Sequence, residues 1–117
     1  MVDFAHALSS EEHDARALVA TARRAEEAGF RSVWISDHYH PWIDRQRHSP
    51  FVWSVMGAIA ATTGLTVTTG VTCPLIRIHP AVIAQATATS SNLLPGGRFR
   101  FGVGTGEALN EHILGDR

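Results

Sequence analysis

Short β-rich runs alternate with helical stripes along the whole chain, one strand and one helix in roughly 30 residues. This rhythm restricts the fold more than any other feature of the sequence. Residues 2–8, 31–36, 65–71 and 98–103 read as strands; the third is dense in Val, Leu and Thr and suits a buried position. Between them, Ala15, Leu18, Val19, Ala22 and Ala25 recur at helical spacing, with Arg16, Arg23, Arg24 and Glu27 mostly outside the stripe. Val52, Val55, Met56, Ile59 and Ala60 form a second stripe and Val82, Ile83 and Ala86 a third, continued by Ser90 or Leu93, and another helix begins over residues 108–114. Such alternation predicts an α/β fold with a parallel sheet and right-handed crossovers, either doubly wound or part of a barrel. A complete (β/α)8 barrel takes about 250 residues, so this chain would supply about half of one, the first four βα units.

The expected boundaries follow from local chemistry. Ser9, with Glu12 three residues on, has capping-box spacing and predicts a helix start. Gly29 supplies a left-handed stop. Ser49-Pro50 and His79-Pro80 both place proline where a first helical turn needs no donor, and Pro95-Gly96-Gly97 ends the third helix. With 44% hydrophobic and 18% charged residues and a net charge of -1, the 117 residues suit one domain, 1–117, with a single core. Lacking a Lys/Arg run, the chain is expected to bind a small-molecule substrate, not nucleic acid or an anionic membrane. No apolar run approaches the roughly 20 residues that span a bilayer. One cysteine, Cys73, excludes an internal disulfide and, with no signal-peptide pattern, points to a reducing cytoplasm.

In parallel α/β proteins ligands bind at the carboxyl ends of the strands. The second strand ends in Ser36-Asp37-His38-Tyr39-His40-Pro41-Trp42 and the fourth in Gly104-Thr105-Gly106-Glu107, so His38 and Glu107 are expected to face one mouth as an acid/base pair. The competing reading is that each caps a helix or pairs with an arginine. Trp42 stands in a polar loop beside this site, whereas Trp53 belongs to the core and His6, His13 and His48 to the solvated surface. Gly102-Val103-Gly104-Thr105-Gly106 matches neither the dinucleotide fingerprint nor the P-loop and marks only a tight or closely approached backbone. His38 and His40 have the spacing of metal ligands, with His79 and His112 as further candidates, but Pro41 breaks the alternation that such ligation needs, and no metal is expected. Cys73 has neither a second cysteine nor a convincing base beside it, which disfavours nucleophilic catalysis.

Together with Ser49-Pro50-Phe51, Gly70-Val71-Thr72-Cys73-Pro74, Pro80-Ala81-Val82-Ile83-Ala84-Gln85-Ala86 and Gly102-Val103-Gly104-Thr105-Gly106-Glu107-Ala108-Leu109-Asn110-Glu111, the Ser36 to Trp42 stretch resembles the luciferase-like oxidoreductases that use the deazaflavin coenzyme F420. The likeness is strongest to their glucose-6-phosphate dehydrogenase branch. It implies a TIM barrel, hydride transfer from a carbinol carbon to the deazaflavin, His38 and Glu107 as the acid/base pair in an unassigned order, and Trp42 beside the reacting centre. It also implies cofactor contacts from Asp37, Gly70, Val71, Cys73, Thr105 and Asn110, with a non-proline cis peptide at Gly70-Val71. Cys73 stands where the sugar-phosphate enzymes have threonine, and the basic residues that bind the sugar phosphate belong to the other half of the barrel, so the alcohol is left open. Three alternatives stand beside this reading: an FMN-dependent monooxygenase of the same fold, a metal-dependent hydrolase, and a non-catalytic half-barrel, incomplete on its own, whose open edges pair with a second copy as a homodimer.

Overall fold

The computed structural model describes residues 2–115. Four strands, β1 (Ala5–Leu8), β2 (Ser32–Ile35), β3 (Thr66–Thr69) and β4 (Phe99–Arg100), alternate with helices α1 (Ala15–Glu27), α2 (Val52–Thr62), α3 (Pro80–Leu93) and α4 (Ala108–Ile113). All neighbouring strands are parallel, in the order β1-β2-β3-β4, with Leu8 opposite Ile35 and Ile35 opposite Thr69. Sequence order and spatial order coincide, as they do along the arc of a (β/α) barrel.

The two faces of the sheet are chemically distinct because successive side chains alternate across it. Leu8, Val33, Ile35 and Val67 point toward the helices and are buried against Leu18, Ala22, Val52, Met56 and Ile59. The other face carries Ala5, Ala7, Ser32, Trp34, Thr66, Thr68 and Arg100, which are exposed or half-buried; Trp34 is 47% exposed. Trp53 joins the core as expected, its ring centroid 6.1 Å from that of Phe99 and 5.9 Å from that of Phe101.

Several boundaries differ from the sequence expectation. Helix α1 starts at Ala15, capped by Asp14, whose carboxylate accepts from the Ala17 amide at 2.8 Å. The Ser9 and Glu12 box therefore does not form, and Ser9 to Glu11 remain in the loop after β1. Ser49 and Pro50 precede α2 without capping it: its N-cap is Phe51, and the Ser49 hydroxyl donates instead to the His38 carbonyl at 2.5 Å. Helix α3 does start at Pro80, with the His79 ring accepting from the Ala81 amide at 3.1 Å. Of its expected stripe, Ile83 and Ser90 are buried but Val82 and Leu93 are exposed, and Leu94 takes the inward place at the helix end. Gly29, at φ +94°, provides the left-handed stop after α1.

The strands are shorter than the β-prone runs because β3 and β4 break their ladder where they reach the rim. Gly70-Val71 is a cis peptide, and pairing resumes only at the isolated bridge between Thr72 and Val103. Across the gap the buried Thr69 hydroxyl accepts from the Gly102 amide at 2.9 Å and donates to the Gly102 carbonyl at 3.0 Å. Glycine is required at 102 because a Cβ there would lie inside the van der Waals contact of the Thr69 carbonyl oxygen, a backbone atom. We predict that Gly102→Ala destabilises the fold by about 1–3 kcal/mol, the range for overpacking. Urea melts would read the loss; an unchanged midpoint would mean that the β3–β4 rim relaxes freely.

Candidate functional site

Parallel pairing sends all four strand exits to the same end of the sheet, and the candidate site is built there. The exit of β2 is fixed first. The Ser36 hydroxyl donates to Glu11 Oε2 at 2.8 Å and accepts from the Ser10 amide at 2.9 Å, while the Ser10 hydroxyl donates to the Ser36 carbonyl at 2.7 Å. This lashing holds the β1 loop against the β2 exit and buries Glu11, which is only 4% exposed. Glu11 Oε1 lies 2.9 Å from His38 Nδ1 and turns that nitrogen toward the β1 loop. Burial alone would raise the Glu11 carboxyl, but the contacts from His38 and Ser36 outweigh it and hold the group at about 2. With Nδ1 turned to Glu11, Nε2 is the nitrogen of His38 left for a ligand.

Asp37, beside His38, is 3% exposed and is balanced from the β3 exit. The Thr72 hydroxyl donates to Asp37 Oδ2 at 2.6 Å, and Arg77 Nη2 approaches the same oxygen to 2.7 Å. Trp42 meets the His38 ring edge to face at a centroid distance of 5.0 Å. Its loop is held from within, since Gln46 Oε1 accepts from the Trp42 amide at 2.9 Å and from the Ile43 amide at 3.3 Å.

From the β4 exit, Glu107 is the N-cap of α4 and accepts from the Leu109 amide at 2.8 Å and from the Asn110 amide at 3.3 Å. The helix-cap alternative weighed for this residue is thus realised, and Glu107 lines the cleft as well. Asn110 Nδ2 also donates to Glu107, and Asn110 Oδ1 accepts from the Tyr39 amide at 2.9 Å and the His40 amide at 2.7 Å.

One cleft, open to solvent and with a cavity volume of about 50 Å³, is walled by Asp37, His38, Tyr39, Cys73, Arg77, Thr105, Glu107 and Asn110. His38 and Glu107, expected at a common mouth, thus line the same cavity, together with Asp37, Cys73, Thr105 and Asn110. Gly70 and Val71 are not among its lining residues; a Cβ on Gly70 would strike the Trp34 indole, and Val71 packs under Gly104. Trp42 reaches the site through His38. Burial pushes the Cys73 thiol up, which keeps it a neutral thiol and a weak donor.

The imidazoles weighed as metal ligands do not converge. His40 Nδ1 engages the Pro41 carbonyl at 2.7 Å, and His79 caps α3. Among the described residues no group of three or more His, Cys, Asp or Glu is placed to hold a metal ion, and no helix is long and apolar enough to cross a membrane.

Two site residues were not singled out from the sequence. Glu11 lies three residues after β1, so the strand-end rule that points to His38 and Glu107 points to it equally, although Ser9 and Glu12, with the spacing of a cap, are the more conspicuous pair in that stretch. Arg77 carried the weaker signal of a lone cation in the loop after β3.

The luciferase-like monooxygenase family matches residues 1–116 of the chain. The chain belongs to this family. The family member from Mycobacterium tuberculosis described as F420-dependent hydroxymycolic acid dehydrogenase is 48% identical over 110 residues, 93% of this chain and 30% of the relative. An F420-dependent glucose-6-phosphate dehydrogenase of Amycolatopsis mediterranei is 46% identical over 118 residues, 100% of this chain and 35% of the relative. Among solved structures, an F420-dependent secondary alcohol dehydrogenase in complex with an F420-acetone adduct superposes with a TM-score of 0.91 at 37% identity, covering 98% of this chain and 35% of that one. This luciferase-like chain therefore spans about a third of the length of the relatives it matches, and its sheet is four strands of their TIM-barrel fold.

The held carboxyl gives a measurable pH dependence. Glu11 sits near 2 in the folded chain against a reference of 4.5, so its contacts stabilise the fold fully above pH 4.5 and are lost as pH falls from 4.5 toward 2. Urea midpoints of wild type and Glu11→Gln should differ just above that window and converge within it. Parallel pH profiles for the two proteins would show that Glu11 is not held by the fold.

Proposed function

We propose that the chain carries the proton-handling rim of an F420-dependent oxidoreductase that acts on a CH–OH donor, as the N-terminal part of a luciferase-like barrel. The observation that carries this reading is the cleft shared by His38 and Glu107, at the strand exits where the fold family binds its ligands. Asp37, Thr105 and Asn110 supply polar atoms around the wall of the cleft, where the edge of a ring cofactor would be held.

When bound, the deazaflavin supplies the acceptor for the hydride that leaves the carbinol carbon. The chain's own residues would handle the proton. His38 Nε2 accepts the hydroxyl proton as the C–O bond gains double-bond character, and the Glu11 carboxylate at Nδ1 stabilises the imidazolium so formed. Trp42 packs against the His38 ring and keeps water from that side. Glu107, fixed by its cap, is the second acid/base group at the opposite wall and is assigned the proton exchange of the deazaflavin ring system.

His38→Ala and Glu107→Gln in the complete barrel should each lower turnover by about 10²- to 10⁴-fold, the scale of losing a general acid or base. Wild-type turnover in both would remove the assignment. Titration with F420 and, separately, with FMN tests the cofactor: the reading expects saturable binding of the deazaflavin, and FMN binding alone would favour a monooxygenase.

A second reading rests on the edges of the sheet. Among the described residues β1 pairs only with β2 and β4 only with β3, which leaves a backbone edge on each side for another chain. The 117-residue chain by itself would then self-associate as a half-barrel homodimer. Sedimentation velocity decides this: a species larger than the monomer is expected, and a compact monomer would end the idea.

A further inference from the structure

We propose that Asn110 is a positioning residue that sets the spacing between His38 and Glu107. The inference rests on the functional reading above. Its basis is how the Asn110 side chain is spent. Oδ1 accepts from two consecutive amides, Tyr39 N at 2.9 Å and His40 N at 2.7 Å, immediately after His38. Nδ2 donates to Glu107 Oε1. A single amide group thus ties the loop that carries the imidazole, 70 and 71 positions away in sequence, to the carboxylate that lines the same cleft.

The link is directional. A carbonyl oxygen is needed toward the β2 exit, where only donors are offered, and an N–H is needed toward Glu107, which only accepts; an amide side chain meets both demands at once. Three further contacts fix the neighbours of this link. Ser49 anchors the His38 carbonyl, while the Leu109 and Asn110 amides hold the Glu107 carboxylate. Asn110 is the piece that joins these two anchored groups. A cofactor contact, which the family resemblance implies for this position, would have to use the remaining lone-pair or N–H capacity of an amide already engaged on both atoms.

Two variants separate positioning from cofactor binding. Asn110→Ala breaks both halves of the tie; at saturating F420 it is expected to lower kcat by about 10²-fold, the scale of a misplaced reacting group, a loss that weaker cofactor binding alone would not leave at saturation. In the cofactor-free protein, hydrogen exchange at the Tyr39 and His40 amides should accelerate. Asn110→Asp keeps the acceptor toward those amides but sets a carboxylate against Glu107. It should therefore retain slow exchange at Tyr39 and His40 and still lose kcat, a split that a purely structural role would not produce. Unchanged kcat in Asn110→Asp, or a loss confined to F420 affinity in Asn110→Ala, would overturn the proposal. If Asn110→Ala fails to fold, the aspartate variant alone decides. Should wild type show no F420-dependent alcohol oxidation, the functional reading falls, while the exchange rates still report whether the tie exists.

Discussion

Parallel pairing in a fixed register is the constraint on which everything else in this chain depends. Because β1, β2 and β3 run side by side with Leu8, Ile35 and Thr69 in line, the residues that follow each of them emerge at one level. The polar segments after the strands are thereby forced into each other's company. The helices then need only cover the opposite face, and the side chains that do so are ordinary aliphatic ones.

Crowding polar groups at one rim has a cost, since a carboxylate removed from water must find a partner. Glu11 and Asp37 are both nearly inaccessible, and each has a solution drawn from a different loop. Glu11 is met by His38 and Ser36, and Asp37 by Arg77 and Thr72. The two arrangements differ in consequence. Asp37 faces a permanent cation and a hydroxyl donor, so it serves as a fixed anchor between the β2 and β3 exits. Glu11 faces an imidazole instead, a partner that is not permanently charged.

Much of this was legible in the sequence because it depends on short-range signals. Strand, helix and turn order followed from periodicity and from Gly29, Pro80 and the Pro95 to Gly97 stop. His38 and Glu107 followed from one rule about strand ends. The misread features depend on contacts that no local pattern encodes. Ser9 and Glu12 have the spacing of a cap, but Asp14 was free to cap α1 and Glu11 was needed at His38, 27 positions away. Ser49 resembles a helix start, yet its hydroxyl is taken by the His38 carbonyl. Val82 and Leu93 fall on the expected stripe of α3, but the inward direction is set by how the helix seats on the sheet, and Leu94 fills that place instead.

The loop that carries Trp42 is organised by its own Gln46, which accepts from the amides of Trp42 and Ile43, while the Gln46 amide donates to the Ile43 carbonyl at 3.0 Å. Its far end is tied to the β1 loop, where the His48 amide donates to the Glu11 carbonyl at 3.1 Å. A change confined to residues 42–46 would therefore alter what roofs the imidazole, whereas one that reached His48 would also loosen the loop that carries its carboxylate partner.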